Sequence, residues 1–297
     1  MSTSMQSYFP NEFFLLNLLS THHHISKKII IAIDEVGRGC VAGPVLCCAS
    51  LWISATEVPF QTQQQQTWLP LIDDSKKLTE KKRNQCFAAI LASYQSKPDT
   101  FSTSTTHFIP NNPSSLNSSQ TQIHWNAAKF LELKQHSQFI TEKEMMCVHF
   151  ALGESSAEEV DSYNIWQAVQ LAAARALNLL CQLFKNQSNL TLNFLNDAII
   201  LMDGKHFLNV PKDFINIPQI TITQADSVFK SVGFSSVIAK VSRDNFMISQ
   251  DKEYPLFGFS KHKGYGTAKH LSLIKDAGSC PLHRKSFLTN CQKTTLF

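Results

Sequence analysis

Ile29-Ile30-Ile31-Ala32-Ile33-Asp34-Glu35-Val36-Gly37-Arg38-Gly39, followed closely by Gly43-Pro44, is the stretch on which the reading of this chain turns. Its apolar run reads as a strand covered on both faces. Such a strand gains nothing in packing by ending in two adjacent carboxylates and a glycine-flanked arginine. The ending therefore points to chemistry, with a metal site beside a phosphate-binding turn as the natural reading.

Working outward, residues 45–53 read as a second covered strand joined to the first by the glycine-rich turn. A glutamine-rich loop at 57–70 leads to Asp74-Ser75-Lys76-Lys77-Leu78. Thr79 and Glu80 then open a helix carrying Phe87, Ile90 and Leu91 on one side. Residues 95 to about 123 are dominated by Ser, Thr, Asn, Gln and Pro, a composition that cannot bury enough apolar surface to offset its ordering entropy. With a short helix expected within 124–139, the polar insertion is placed at about 95–141.

The pattern resumes with a strand at 145–150 and a helix from Ser156 with Glu158 and Glu159 in its first turn. From Asn164, the positions Ile165, Val169, Ala172, Ala176, Leu179 and Leu183 trace the core face of a long helix. A strand at 197–202 ends in Asp203-Gly204, and one at 217–223 runs into Asp226. Helical segments follow within 227–254, where Gly233 obscures the start, and at 267–276. With no internal repeat, one mixed α/β domain with polar insertions is the economical interpretation.

Composition agrees with an ordinary globular protein: 297 residues, 43% hydrophobic and 17% charged. The net charge of +4 is uneven, since residues 226–297 hold eleven Lys/Arg against five Asp/Glu, the field that a phosphate-rich ligand requires. Eight cysteines without a Cys-x-x-Cys pair fit reduced thiols in a cytoplasmic location. The apolar run at 13–19 is too short to span a bilayer and lacks a basic leader, so no membrane association is expected. His22-His23-His24 reads as a surface loop, because consecutive side chains do not converge on one ion.

Asp34, Glu35, Asp203 and Asp226 all follow strands that could share one sheet edge. Oxygen-only ligands suit Mg²⁺ or Mn²⁺ rather than zinc. Two such ions about 3.5–4 Å apart can activate a water and stabilise a leaving oxygen in phosphodiester cleavage. A lone Asp-Gly after a strand is more often a turn, and it is the joint occurrence with Asp34-Glu35 that makes Asp203 a candidate.

Taken together, these motifs resemble type 2 ribonuclease H, the ribonuclease HII family. Asp34-Glu35-Val36-Gly37-Arg38-Gly39 is similar to its opening pattern and Asp74-Ser75-Lys76-Lys77-Leu78 to its second block. Asn164-Ile165, Met202-Asp203-Gly204 and Ala239-Lys240-Val241-Ser242-Arg243-Asp244 follow in the family's order. His262-Lys263-Gly264-Tyr265-Gly266-Thr267 and His283-Arg284-Lys285-Ser286-Phe287 complete the resemblance.

The resemblance implies a ribonuclease H-like mixed sheet flanked by helices, with a helical C-terminal portion, over residues 29–288. Residues 1–28 would be a flexible leader and 289–297 a tail. It implies an endonuclease, acting as a monomer, that hydrolyses the RNA strand of RNA/DNA hybrids. Such an enzyme would also nick duplex DNA 5′ of single ribonucleotides by two-metal-ion catalysis with Mg²⁺ or Mn²⁺. The ends would be 3′-hydroxyl and 5′-phosphate, and the cellular roles primer removal and ribonucleotide repair. Asp34, Glu35, Asp203 and Asp226 are the implied metal-binding and catalytic carboxylates, with Asp213 a weaker competitor for the last place. Gly37, Arg38 and Gly39 would read the ribose and Tyr265 would stack on the sugar beyond the cleavage point, while Lys76, Lys77, Lys240 and Arg243 are candidates for phosphate contacts. Arg243 and Asp244 are expected in an ion pair, and His283 either assists proton transfer or packs against the sheet. The related ribonuclease HIII family carries lysine in the Gly-x-Gly turn and an extra N-terminal domain. Arg38 and the 28-residue leader favour ribonuclease HII instead.

Overall fold

The computed structural model describes residues 8–57, 66–73, 75–94, 103–104, 120–137, 141, 143–187 and 192–288. Its centre is β1 (Ile29–Val36), which pairs antiparallel with β2 (Val45–Ser54) on one side. On the other side it pairs parallel with β6 (Ala198–Asp203). With β3 (Thr103–Ser104), β4 (Gln122–Asn126), β5 (Met145–Ser155) and β7 (Gln219–Thr223), the sheet runs β3-β5-β2-β1-β6-β7-β4.

Side chains of β1 alternate between two cores, as the two-residue period of a strand requires. Ile30 and Ala32 face the helices α1 (Pro10–His23), α2 (Glu80–Tyr94) and α7 (Lys230–Ser249). Ile29, Ile31 and Ile33 face α5 (Ile165–Gln187). Continuing that alternation sends Asp34 toward α7 and Glu35 the other way. The last registered pair on the β6 side is Ile33 with Met202, so Asp34 and Asp203 are the next residues along adjacent parallel strands. α4 (Ala157–Tyr163), α6 (Ala225–Val228), α8 (Phe259–His262) and α9 (Ala268–Ala277) complete the set used below.

The local signals for these elements are sound. Ser156 and Glu159 form a reciprocal capping box on α4, and Thr267 caps α9 by accepting from His270 N–H. Gly233 lies inside α7, one turn from its start. Among the described residues no helix is long and apolar enough to cross a membrane, and no disulfide joins the cysteines.

Two expectations are corrected. Part of the leader expected to be flexible is α1, whose Phe14, Leu15, Leu18 and Leu19 are buried against the sheet's covering helices. Burying that apolar surface is what orders it. The polar insertion was drawn too long at its C-terminal end. Residues 122–126 pair in parallel with β7, and α3 (Ala127–His136) follows, capped by the Asn126 side chain and anchored by buried Phe130. Residues 95–102, 105–119 and the tail 289–297 lie outside the described residues.

α1 is tied to α7 through Glu12, which is 1% exposed and accepts from Ser231 N–H at 2.9 Å and Ser231 Oγ at 3.0 Å. Burial raises its pKa to about 7, against the opposing pull of the Ser231 bonds. A carboxyl whose folded pKa is raised favours folding most below its unfolded value of 4.5, and that contribution fades as pH climbs through about 7. Glu12→Gln is therefore expected to gain stability relative to the parent between pH 5 and 8, by on the order of 2–3 kcal/mol. Urea denaturation across that window checks it, and a difference independent of pH would refute it.

Candidate active site

β1 delivers Asp34 and Glu35, β6 delivers Asp203, and the end of β7 delivers Asp226. Between the last two, Gln224 takes a left-handed turn (φ 64°) and opens α6, so that Ala225 N–H donates to Asp203 Oδ1 at 2.7 Å. That bond brings the start of α6, with Asp226 in its first turn, to the tip of β6. Asp34 and Asp226 are buried, at 6% and 4% exposure.

The electrostatics register the crowding. Asp34 is held well above the usual carboxylate range, first by burial, then by the charges of Glu35 and Asp203, with Asp226 adding less and a hydrogen bond from Ser236 opposing. Asp203 is pushed up to about 6 by burial and by Asp226. Asp34 thus feels the other three carboxylates, and Asp203 feels Asp226 and Glu35. Asp213 lies elsewhere, on the turn Lys212–Phe214, where its Oδ2 accepts the Cys181 thiol.

Two cations answer the negative charge. Lys76 Nζ bonds Asp226 Oδ2 at 2.9 Å, and Arg38 bonds Glu35 Oε1 at 3.0 Å. Burial alone would lower the Lys76 pKa, but the hydrogen bond and charge of Asp226 outweigh it and raise it. Glu35 Oε2 is buried with no hydrogen-bond partner, an acceptor of the kind that a cation satisfies. Among the described residues no three acidic, imidazole or thiol groups already surround one point as a finished cage. The donor set fits a hard divalent cation in charge and atom type, and ligation would require Lys76 and Arg38 to yield their carboxylates.

The adjoining turn at residues 37–43 is held from behind by two buried arginines. Arg243 of α7 donates to the carbonyls of Pro44, Lys263 and Ala42 at 2.8–2.9 Å. Arg284 donates to those of Gly43, Arg38 and Cys40 at 2.8–3.2 Å. The expected ion pair of Arg243 is thus corrected: it serves backbone carbonyls, while Asp244 pairs with Lys240 at 2.8 Å. Gly37 has φ 93° and a Cβ there would sit 2.4 Å from Arg243 Nε. At Gly39 a Cβ would meet nothing within 4 Å, so packing does not demand glycine there.

Opposite stands Tyr265, 44% exposed, with Lys240 Nζ 5.7 Å from its ring centre. Its segment is laced to the turn: Val41 and Ala42 N–H donate to Gly264 O at 2.9 and 3.2 Å. A Cβ on Gly264 would fall 2.3 Å from Ala42 O, which accounts for the glycine. Ser75 bonds Ser236 of α7 at 2.7 Å and so anchors the Lys76-Lys77 segment. Lys77 is exposed, and Asp74 lies outside the described residues. Sequence reasoning missed Ser236 and the turn-holding role of Arg284, since neither partnership leaves a local signal.

A family model described as Ribonuclease HII matches residues 31–290. The ribonuclease HII of Geotalea uraniireducens is 30% identical over 258 residues, covering 87% of this chain and 82% of its own. That of Fusobacterium nucleatum is 31% identical over 273 residues, covering 92% and 91%. Among solved structures, a mutant of Bst-RNase HIII aligns with TM-score 0.50 at 14% identity, over 92% of this chain and 71% of that one. That likeness bears on the fold alone.

The two turn glycines are expected to respond differently to alanine. Gly37→Ala adds left-handed strain and a collision with Arg243, and should lower Tm by roughly 5–10 °C. Gly39→Ala should leave Tm within about 2 °C of the parent. Thermal melts of the two variants check this, and equal losses would contradict the geometry.

Proposed function

The chain belongs to the ribonuclease HII family, and on that premise we propose that this endoribonuclease, besides cutting the RNA strand of RNA/DNA hybrids, nicks duplex DNA 5′ of a single embedded ribonucleotide. The observation that carries the reading is the crowding of Asp34 and Asp203 with Glu35 and Asp226 beside a glycine turn to which the segment of the exposed Tyr265 is hydrogen-bonded. Asp34, Glu35, Asp203 and Asp226 would hold two divalent ions, Mg²⁺ or Mn²⁺. When bound, these supply an activated water and charge stabilisation at the leaving oxygen.

The protein's own part is positioning. A nuclease that cuts at ribonucleotides must sense a 2′-hydroxyl, the group that separates RNA from DNA. The backbone of residues 37–39 is suited to this, because the open space over Gly39 lets a sugar approach and Arg243 with Arg284 keeps the turn from yielding. Tyr265 stacks on the sugar beyond the cleavage point. A deoxyribose is preferred there, so an RNA-to-DNA junction is the favoured substrate. Arg38 and Lys77, both exposed, contact phosphates and make affinity salt-dependent without conferring selectivity. Lys76 holds Asp226 in place until the ions bind. The products carry 3′-hydroxyl and 5′-phosphate ends, as ribonucleotide repair and primer removal require.

A duplex with one embedded ribonucleotide should be nicked in Mg²⁺ or Mn²⁺ and spared in excess EDTA. Asp34→Asn should lose roughly a thousandfold or more in rate while still binding the duplex. Equal cutting of an all-DNA duplex would defeat the ribose-sensing part of the proposal, and unchanged activity of Asp34→Asn would defeat the metal-site part.

A further inference from the structure

Behind Tyr265 the C-terminal region holds a chain of hydrogen bonds that the reaction above leaves unused. Cys280 N–H donates to His283 Nδ1 at 2.9 Å, and the Cys280 thiol lies 3.2 Å from the same nitrogen. His283 Nδ1 is thereby an acceptor, and the ring carries its proton on Nε2. At the other end, His270 Nδ1 lies 2.8 Å from Tyr265 O. A carbonyl can only accept, so His270 carries its proton on Nδ1 and offers a bare Nε2. The two Nε2 atoms are 3.0 Å apart. One set of protons satisfies every link: Cys280 N–H to His283, His283 to His270, His270 to the Tyr265 carbonyl. The Cys280 carbonyl, 3.3 Å from His283 Nδ1, is the longer alternative, and a proton on Nδ1 would leave both Nε2 atoms bare.

Both rings are buried, at 0% and 2% exposure, and packed against Phe257 and Phe259. Burial lowers both pKa values, that of His270 to about 4, which keeps the pair neutral as the proton pattern requires. Each histidine is also fixed to a different substrate-facing segment. His270 belongs to α9, which starts directly after the Tyr265 turn. His283 bridges Ala42, flanked by Gly43 N–H to Leu282 O at 2.8 Å and Arg284 N–H to Val41 O at 2.9 Å. The imidazole contact is therefore a strut between the Tyr265 turn and the turn at residues 37–43.

We propose that His283 and His270 are positioning residues that set the place of Tyr265 relative to the glycine turn, and through it the enzyme's affinity for a deoxyribose beyond the cleavage point. The proposal rests on the sugar contact of Tyr265 described above. Neither histidine touches substrate. Their effect belongs in binding, so disruption raises KM and spares kcat.

Side-chain shape makes the test selective. Asparagine reaches only where Nδ1 sits, so His283→Asn keeps an acceptor for Cys280 N–H and loses the link to His270. Glutamine reaches the Nε2 position, so His283→Gln keeps a donor to His270. On a duplex with one ribonucleotide followed by DNA, His283→Asn should raise KM about tenfold with kcat within about twofold, and His283→Gln should stay within about threefold of the parent in both. His270→Gln, which loses the donor to Tyr265 O, should behave like His283→Asn and serves if that variant does not fold. Equal impairment of His283→Asn and His283→Gln would mean a packing role and overturn the proposal, as would a fall in kcat at unchanged KM. Tyr265→Ala separates the two levels. If it raises KM and His283→Asn does not, the strut alone is refuted. If Tyr265→Ala leaves KM and sugar preference unchanged, the sugar contact and the strut fall together.

Discussion

Arg243 and Arg284 place two guanidinium groups, both fully buried, behind one short turn, and their hydrogen bonds go to backbone carbonyls of residues 38–44 and 263. Burying like charges side by side is costly, and burial together with the Arg243 charge pulls the Arg284 pKa down to about 10. The arrangement persists because a guanidinium's donors can satisfy several carbonyls that would otherwise be buried and unpaired. The backbone of a loop without regular secondary structure is thereby held by side-chain hydrogen bonds. β1 leads its carboxylates into that loop, and the Tyr265 segment is bonded to it through Gly264.

The carboxylates pose the opposite problem. Four acidic groups crowd the C-terminal ends of the central strands β1 and β6 and the start of α6, two of them buried, and Lys76 and Arg38 offset only part of that charge. Local rules of stability are violated here, which is what a site built for chemistry looks like. Two buried guanidinium groups behind the turn and four carboxylates beside it thus set fields of opposite sign next to each other.

The edges of the fold illustrate how composition misleads. β4 has the alternation of an edge strand, with Ile123 and Trp125 half-buried between exposed neighbours, yet it adjoins a long polar tract whose composition masks it. α1 likewise carries an ordinary apolar run, but what it packs against is set more than two hundred residues away by Ser231 and Val228. Neither element advertises its partner locally.

From the chain alone came the central strand, its terminal carboxylates, the long α5 helix and the family resemblance, because periodicity and contiguous motifs are local properties that survive without coordinates. The register of β1 against β6, which sets Asp34 beside Asp203, already depends on pairing across the fold. Asp226, already preferred to Asp213 by the resemblance, is brought against Asp203 by the folded chain, and the tertiary structure alone decided that Lys76 meets a carboxylate and that Arg243 and Arg284 serve carbonyls. Each of these is a choice among chemically equivalent partners separated by tens to hundreds of residues. Such choices are made by packing and burial, which exist only once the chain has folded.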